Sequence, residues 1–582
     1  MKKILFLLLA VAFIKPVFSQ QKTKWYQPQF VEGVCLLDSS NIFHRLPSSM
    51  KDSVRKPVWD LSENTAGEFI HFKTSATEIS VRYTLTSNNF SMPHMPSTGV
   101  SGLDLFAMDV NGNWNWSPGR YHFGDTCSYV FKNLFLARNQ TKVADFYLYL
   151  PLYNSVKWLS IGVNEKDSFD FAEKRKEQPI VAYGTSILQG AVASRPGLAW
   201  TNILERNLDR TVINLGFSGN GRFEKPIFDL MAKVDAKLYI LDCMPNLTGG
   251  YSDEEIKSRV IYGVNKLRER NKEVPLLFVE HAVGYAPYFM DTARLHEYHH
   301  SSLVIEKIFN ELQETGISNI YLLTDKEIGF DIHSTTEGLH PNDIGMEKYA
   351  VAYEQKIREI LKEPVGKIVT EIPVEQYRDG YDWIARHEQV KEDIKQNNPQ
   401  NLIIGNSIIH YFGGMPAYNI SRGTAAWDKY LKPLKVQNAG FGWDRIENVL
   451  WRVYHGEFDD FKGKNIVLMI GTNNLSERNN DSEIVEGLQF LINAIKQRKP
   501  NVHFIMVGIL PRAKSEAHVA EINKKIKEMA MKSRVEYADF GKDFLIGDKI
   551  NAKLFLKDGL HPNAEGYEVL GKDLKKLLMS NN

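Results

Sequence analysis

Two serines and two histidines stand at matching positions in the two halves of this sequence. Ser186 follows a short apolar run and a Gly-Thr pair, and Ser407 follows a similar run and a Gly-Asn pair. His340 and His561 each lie in a Gly-Leu-His-Pro-Asn segment. The serine-to-histidine separation is 154 residues in both halves. Equal separations indicate that the serine and histidine of each half act together, as a nucleophile and its base do.

A carboxylate stands three residues before each histidine, Glu337 in the first half and Asp558 in the second. Such a group can turn back onto the imidazole, hold its tautomer and stabilise the imidazolium that forms when histidine takes the serine proton. A Gly-x-Ser turn alone is typical of a serine that caps a helix. Two carboxylate–histidine loops in register are a much stronger signal, and they predict two Ser-His-carboxylate sites.

The segments around these residues predict two α/β domains. Short buried-strand patterns alternate with amphipathic helical patterns, which favours a parallel, doubly wound sheet. The alternating runs are 238–241, 256–267 and 276–279 in the first half and 466–470, 484–495 and 502–507 in the second. A serine on the turn after the first strand would lie at the carboxyl edge of the sheet, where such folds bind ligands.

The residues before about 174 have a different pattern. Ile79, Val81, Tyr83 and Leu85 alternate with polar residues, which is the period of a half-buried strand. Turn residues recur at short intervals, and 146–151 and 156–163 read as two further strands. These features predict a small β-sandwich.

We therefore expect a signal peptide over 1–19, a β-sandwich domain over 20–174, and α/β domains over 175–365 and 366–582. In the leader, Lys2 and Lys3 precede an apolar run that is too short to span a bilayer comfortably. The alternative interpretation is a membrane anchor. A signal peptide implies a periplasmic or secreted protein, and no later stretch has the length of a membrane span.

Composition excludes some classes of function. The net charge is +1, with 71 basic and 70 acidic residues, so there is no electrostatic case for binding nucleic acid. Cys35, Cys127 and Cys243 are too few for a disulfide framework, and their spacing fits no metal site. One bridge is compatible with an oxidising compartment, and the pairing stays open. The predicted chemistry requires no metal or organic cofactor.

The order of these motifs resembles the SGNH (GDSL-type) hydrolase superfamily. That resemblance implies flavodoxin-like, three-layer αβα domains, a serine nucleophile and a histidine base. It also implies an oxyanion hole made by the serine N–H, a glycine N–H and an asparagine side chain. The glycine and asparagine positions fall on Gly219 and Asn246 in the first half and on Trp443 and Asn473 in the second.

The two halves resemble different branches. The first is similar to a GDSL-like lipase/acylhydrolase branch of bacterial exoproteins, whose β domain carries a Gly-x-Asp-Leu-Tyr signature that 102–106 matches except for the last hydroxyl. It departs from the usual pattern at Glu337, where Asp is usual, and at 244–246, where Gly-x-Asn is usual. The segment 438–452 resembles the platelet-activating-factor acetylhydrolase type, which usually has Gly in place of Trp443. We expect this indole to narrow or cover the acyl pocket.

The resemblance implies a serine esterase that works through an acyl-enzyme, and secreted bacterial members often remove acetyl groups from glycans. We therefore expect a carbohydrate O-acetylesterase whose partner is a small-molecule or polysaccharide ester. One alternative is a lipid or lysophospholipid esterase. Another is one catalytic copy beside a non-catalytic glycan-binding copy, which Trp443 motivates.

Three weaker features remain, and the first two have two interpretations each. The Glu280–His281 pair follows a strand at the same sheet edge and is either a further catalytic pair or, more simply, structural. Trp114 and Trp116 are candidates for stacking on a sugar ring or for ordinary packing. His410 and Tyr411 closely follow Ser407 and are expected to line its pocket.

Overall fold

The computed structural model describes residues 22–109, 112–134, 143–247, 249–283, 291–376, 380–475 and 479–580. The predicted signal peptide over 1–19 lies outside these residues. Within the described ranges, no helix is both long and apolar enough to cross a membrane.

The N-terminal domain consists of antiparallel strands with two short helices. Its elements are β1 (Thr23–Tyr26), α1 (Lys56–Ser62), β2 (Phe69–Thr74), β3 (Glu78–Leu85), α2 (Ser97–Val100), β4 (Asp104–Met108), β5 (Trp114–Ser117), β6 (Arg120–His122), β7 (Cys127–Lys132), β8 (Ala144–Tyr149), β9 (Val156–Asn164) and β10 (Phe169–Phe171). They form two five-stranded sheets, β1-β9-β3-β7-β6 and β10-β2-β8-β4-β5. Burial alternates along β3, and the inward side chains of both sheets share one core, so the predicted sandwich is confirmed.

The first α/β domain begins directly after this sandwich. Its elements are β11 (Ile180–Gly184), α3 (Ser186–Gln189), α4 (Trp200–Leu208), β12 (Val212–Gly216), α5 (Lys225–Met231), β13 (Leu238–Asp242), α6 (Asp253–Arg270), β14 (Leu276–Val279), α7 (Thr292–Glu314), β15 (Ile320–Leu323), α8 (Asp325–Ile328) and α9 (Asp343–Leu361). The strands pair in parallel in the order β12-β11-β13-β14-β15. Apolar side chains pack on both faces of this sheet.

The second α/β domain repeats that arrangement. Its elements are α10 (Trp383–Asn397), β16 (Asn401–Gly405), α11 (Ser407–His410), α12 (Thr424–Tyr430), β17 (Val436–Gly440), α13 (Ile446–Tyr454), β18 (Asn465–Met469), α14 (Asp481–Arg498), β19 (His503–Val507), α15 (Glu516–Lys532), β20 (Glu536–Ala538), β21 (Leu545–Ile546), β22 (Lys549–Ile550) and α16 (Ala564–Ser580). The parallel order is β17-β16-β18-β19-β20, and the short β21 and β22 form a separate pair.

Both sheets thus have the flavodoxin-like strand order 2-1-3-4-5, which confirms the predicted fold class. In such a sheet the connections change direction between the first and third strands, and ligands bind outside the carboxyl ends of the strands there. The two serines follow β11 and β16, the first strand of each sheet. The strand order therefore places each serine at the switch point of its sheet.

The sandwich and the two α/β domains are in direct contact. Trp59 of the N-terminal domain belongs to the core on one face of the first parallel sheet. Between the α/β domains, the indole N–H of Trp451 donates to the Asp209 carboxylate at 2.8 Å, and Arg210 donates to the carbonyl of Tyr454 at 3.1 Å. Because these polar contacts are buried, they fix the position of α13 on the first α/β domain.

The three cysteines are all buried free thiols. Cys35 and Cys243 belong to the core on one face of the first parallel sheet, and Cys127 belongs to the core of the sandwich. The bridge that the sequence left open is therefore not formed by any pair of them.

Candidate active site

Ser186 begins helix α3 directly after β11, and the Thr185 side chain caps that helix by accepting the N–H of Ile187 at 3.3 Å. The Ser186 hydroxyl lies 2.8 Å from Nε2 of His340. On the other side of the ring, Nδ1 lies 2.5 Å from Oε1 of Glu337, which also accepts the backbone N–H of His340 at 2.8 Å. The structure therefore brings the first predicted triad together as one hydrogen-bonded chain.

The second triad has the same geometry. The Ser407 hydroxyl lies 2.8 Å from Nε2 of His561, and Nδ1 of that ring lies 2.7 Å from Oδ2 of Asp558. Partial burial raises the pKa of Asp558, but the N–H groups of His561 and Leu560 and the His561 ring outweigh it and hold this pKa below its ordinary value. Asp558 is therefore ionised at neutral pH and can stabilise a positive charge on the ring.

A buried asparagine fixes the turn beside each serine. Asn214 accepts the N–H of Gly216 at 2.9 Å and donates to the carbonyl of Leu188 at 2.7 Å. Asn438 makes the corresponding two bonds in the second domain, each at 2.8 Å. These bonds tie the end of the second strand of each sheet to the short helix that carries the serine.

The predicted oxyanion positions share one backbone conformation but differ in side chain. Gly219 has φ of +66° and Trp443 has φ of +68°, both in the left-handed region. A Cβ added at Gly219 would meet no atom within 4 Å. The Trp443 side chain is 65% exposed. The second domain therefore keeps the backbone turn of the first and carries a largely exposed indole at that position.

The two predicted oxyanion asparagines are held differently. Asn246 lies in a short 3-10 turn after β13, and its Oδ1 accepts the N–H of Gly221 at 3.1 Å. Its NH₂ end is therefore directed away from Gly221. Asn473 follows β18, and its Nδ2 donates to the carbonyl of Asp444 at 2.8 Å. One amide proton of Asn473 is thus already engaged in holding the loop that carries Trp443.

A pocket of about 560 Å³ opens beside His340, and the N-terminal domain supplies most of its wall. The lining residues are Pro57, Asp60, Leu61, Met92, His94, Met95, Tyr153, Ala191, Ser218, Asn220 and His340. The ring of His94 lies 6.1 Å from that of His340 between centroids, and the Tyr153 hydroxyl donates to the carbonyl of Ser186 at 3.3 Å. Sequence reasoning missed these sandwich residues, since the helix and loops that carry them contain no motif.

The Gly-x-Asp signature of the sandwich connects it to the first α/β domain. The buried Asp104 carboxylate accepts from Arg195 at 2.5 Å, from the N–H of Gly197 at 2.9 Å and from the indole N–H of Trp116 at 2.5 Å. Burial raises the pKa of Asp104, although Arg195 opposes this shift. Asp104 therefore anchors the loop that follows the Ser186 helix.

A cluster of aromatic side chains lies on one side of the second candidate triad. The Tyr411 ring lies 5.5 Å from the His561 ring between centroids. Tyr418 stacks on the buried ring of His410 at 4.1 Å and lies 5.8 Å from Tyr411 at an angle of 12°. Tyr411 is thus adjacent to the candidate base, whereas His410 lies behind it in the protein interior.

The remaining candidates have structural roles. His281 is fully buried, and burial lowers its pKa to about 3. Glu280 accepts the N–H of Asp325 at 2.9 Å, so this pair forms no carboxylate–histidine contact of the triad type. Trp114 donates to the carbonyl of Arg206 at 3.0 Å, and Arg195 lies over the ring of Trp116. Among the described residues, no group of three or more His, Cys, Asp or Glu is arranged to hold a metal ion.

Three family models match the chain. A model described as the GDSL-like lipase/acylhydrolase family matches residues 177–358, and another with the same description matches residues 403–569. Residues 23–169 match a model described as the N-terminus of SGNH hydrolase-type esterases. The three matches follow the order of the sandwich and the two α/β domains.

Individual proteins are also similar. Platelet-activating factor acetylhydrolase IB subunit alpha2 of Homo sapiens is 29% identical over 202 residues, which cover 34% of this chain and 83% of that protein. The subunit beta homolog of Drosophila melanogaster is 31% identical over 147 residues, 25% of this chain and 60% of that protein. A crystal structure from Bacteroides ovatus, described as that of a GDSL-like lipase, has 30% identity and a TM-score of 0.53, covering 59% of this chain and 98% of that chain.

Proposed function

The chain belongs to the GDSL/SGNH hydrolase family and is an ester hydrolase, and we propose that it is a secreted carbohydrate O-acetylesterase with one catalytic site in each α/β domain. The observation that supports two sites is the pair of Ser-His-carboxylate chains, with 2.8 Å between hydroxyl and imidazole in both. The apolar leader supports a secreted or periplasmic location. The proposed domain boundaries are 20–174, 175–365 and 366–582.

In the proposed reaction at the first site, Ser186 Oγ attacks the ester carbonyl carbon while His340 Nε2 takes the hydroxyl proton. Glu337 stabilises the imidazolium that results. The bond from the tetrahedral carbon to the sugar oxygen then breaks, the departing oxygen takes that proton from His340 to become a hydroxyl, and an acyl-enzyme remains. Water attacks the acyl carbon with His340 as base, and the acid leaves as Ser186 is restored. Ser407, His561 and Asp558 carry out the same steps at the second site.

The developing oxyanion needs donors that are already in place. In the first domain we assign this role to the backbone N–H of Gly219 and the NH₂ group of Asn246, together with the N–H of Ser186. In the second domain the corresponding donors are the N–H of Trp443 and the side chain of Asn473. One such donor typically contributes about 3–4 kcal/mol to lowering the barrier.

Two observations support acetyl esters of sugars. The similar proteins are named acetylhydrolases, which favours acetyl as the acyl group. Tyr411 beside His561 and the exposed indole of Trp443 offer aromatic faces of the kind that stack on pyranose rings. The glycan would thus lie along the aromatic side of the second site.

Acetate release tests the proposal. We would compare the full chain with Ser186→Ala, Ser407→Ala and the double variant on acetylated xylan, pectin and sialoglycans. Each single variant should keep part of the acetate release, and the double variant should lose at least about 10³-fold. Absence of release from all three glycans, together with activity on lipid esters, would refute the carbohydrate assignment.

A lipid or lysophospholipid esterase is the second candidate. The apolar side chains of Leu61, Met92 and Met95 in the pocket beside His340 favour it, because they could accept an alkyl chain. A chain-length series of nitrophenyl esters in the Ser407→Ala background separates the two functions. Activity that rises from acetyl to octanoyl supports the lipid function, and activity that falls supports acetyl esters.

The third candidate is a non-catalytic second copy that binds glycans, and the exposed Trp443 favours it. The serine variants also decide this point. If Ser407→Ala changes no ester hydrolysis while Ser186→Ala abolishes it, the second α/β domain is not an esterase.

A further inference from the structure

The residue three positions after each serine makes the same contact in both α/β domains. Gln189 ends helix α3, and its Oε1 accepts the N–H of Ser218 at 3.0 Å. His410 ends helix α11, and its Nδ1 accepts the N–H of Gly442 at 3.0 Å. In each domain, this N–H belongs to the residue immediately before the proposed oxyanion position.

Both side chains are buried, and each makes further contacts besides the one to the oxyanion loop. Gln189 is 0% exposed, and its Nε2 donates to Oδ1 of Asn64 and to the carbonyl of Leu152, both at 3.2 Å. These bonds fix which end of the amide faces the oxyanion loop. His410 is 1% exposed and stacks on Tyr418. Neither side chain can leave its position without breaking buried contacts.

The carbonyl of the same loop residue is held as well. Asn220 Nδ2 donates to the carbonyl of Ser218 at 2.9 Å, and the Tyr381 hydroxyl donates to the carbonyl of Gly442 at 3.0 Å. Each of these carbonyls shares one planar trans peptide group with the N–H of the following, oxyanion residue. Since the two groups of a trans peptide point in opposite directions, holding the carbonyl also sets the direction of that N–H.

We propose that Gln189 and His410 are positioning residues that hold the oxyanion N–H of their domain in place while negative charge develops on the substrate oxygen. This inference rests on the proposed two-site esterase. Neither side chain touches the reacting atoms, and each acts through the loop that it holds. Preorganisation of this kind matters because a donor that must first reorient loses much of its stabilising effect.

His410 can accept the N–H of Gly442 only as the neutral tautomer that carries its proton on Nε2. Burial, together with the positive charges of Arg386 and Arg452, lowers the pKa of His410 to about 2. The ring therefore remains an acceptor through the neutral and mildly acidic range, as the uncharged amide of Gln189 does. Gln189 and neutral His410 therefore supply the same kind of group, an uncharged hydrogen-bond acceptor, at matching positions.

The test measures kcat and KM for nitrophenyl acetate on the full chain in the Ser186→Ala background, where only the second site turns over. His410→Leu removes the acceptor and should lower kcat by about 10- to 100-fold with KM unchanged within about twofold. His410→Gln restores an acceptor and should recover kcat to within about threefold. A residue that only packs would show neither the loss confined to kcat nor the rescue.

The Ser407→Ala background gives the matched test on the first site, where Gln189→Met keeps the length of the side chain and removes the acceptor.

Tyr381→Phe is the second variant if His410→Leu does not fold, because it deletes only the hydroxyl bond to Gly442, and it should lower kcat by a few fold. Folded variants with unchanged kcat, or a Gln rescue no better than Leu, would overturn the inference. Full turnover in the Ser186→Ala/Ser407→Ala double variant would instead refute the proposed esterase sites themselves.

Discussion

In the first α/β domain, His340 lines a pocket whose wall belongs mostly to the sandwich, with Met95 and Tyr153 among the lining residues. In the second, the neighbours of the histidine are aromatic side chains of the same domain, with Tyr411 beside His561. The parallel sheets, the asparagine that fixes the serine turn and the hydroxyl–imidazole distance are the same in both. The elements that align the triad are therefore the same in the two domains, whereas the side chains around the triad differ.

The prediction with the largest expected effect compares how strongly kcat depends on the carboxylate in each of the two triads. We expect Glu337→Gln and Asp558→Asn each to lower kcat at their own site by about 10³-fold or more, because the imidazolium loses its counter-charge. The readout is nitrophenyl acetate turnover with the other serine changed to Ala. Glu337→Asp and Asp558→Glu are the controls that keep the charge. A loss below tenfold in one domain only would show that its carboxylate is not part of a triad.

The second prediction concerns a buried acid in the first sheet, at a position where the second sheet has methionine. Asp242 pairs in register with Gly184, and the corresponding partner of Gly405 in the second sheet is Met469. Burial raises the pKa of Asp242 to about 7, although the Tyr353 hydroxyl at 2.9 Å lowers it in part. The folded protein thus binds this proton more tightly than the unfolded chain, whose carboxyl titrates near 3.8. The contribution of Asp242 to the free energy of unfolding is therefore fully present below about pH 4 and is lost as pH rises through about 7.

We expect Asp242→Asn to stabilise the protein by roughly 2–4 kcal/mol above pH 7 and to have little effect near pH 4. Thermal unfolding of wild type and variant between pH 4 and pH 8 measures the difference. Met469→Leu is the control, since it replaces one buried apolar side chain with another at the matching position and should give a shift that does not vary with pH. A pH-independent shift for Asp242→Asn would contradict the assignment.

The third prediction tests whether the sandwich serves only the first site. Asp104→Asn weakens the bonds to Arg195 and Gly197 that anchor the loop after the Ser186 helix. We expect a loss of about 1–3 kcal/mol in stability and about tenfold in kcat/KM at the first site. The second site should change by less than about twofold, and an equal loss at both sites would show that the sandwich acts on the whole molecule.

The sequence predicted the fold class because the strand and helix periods are strong and occur twice in the same order. It also pointed to the residues of both triads, since each lies in a short motif directly attached to a strand or helix. The pocket wall could not be predicted, because Met92 and Tyr153 lie in sandwich loops that reach His340 only through tertiary packing. The same holds for Trp451, whose indole bonds to Asp209 across a domain contact that neither segment signals on its own.

The smallest expected effect tests the difference at the oxyanion position, through the reciprocal variants Gly219→Trp and Trp443→Gly. Both positions have φ near +67° in the left-handed region, where any side chain costs about 1–2 kcal/mol relative to glycine. A Cβ at Gly219 meets no atom within 4 Å, so Gly219→Trp should cost only the backbone strain of about 1 kcal/mol in stability. At the first site, it should lower kcat/KM for butyryl esters a few fold relative to that for acetyl esters. Trp443→Gly should have the opposite effect at the second site. It should raise kcat/KM for butyryl esters a few fold and leave kcat/KM for acetyl esters nearly unchanged. Since the backbone turn is the same in both domains, an acetyl rate that falls at either site would mean that the indole contributes to binding the acyl group rather than restricting its size.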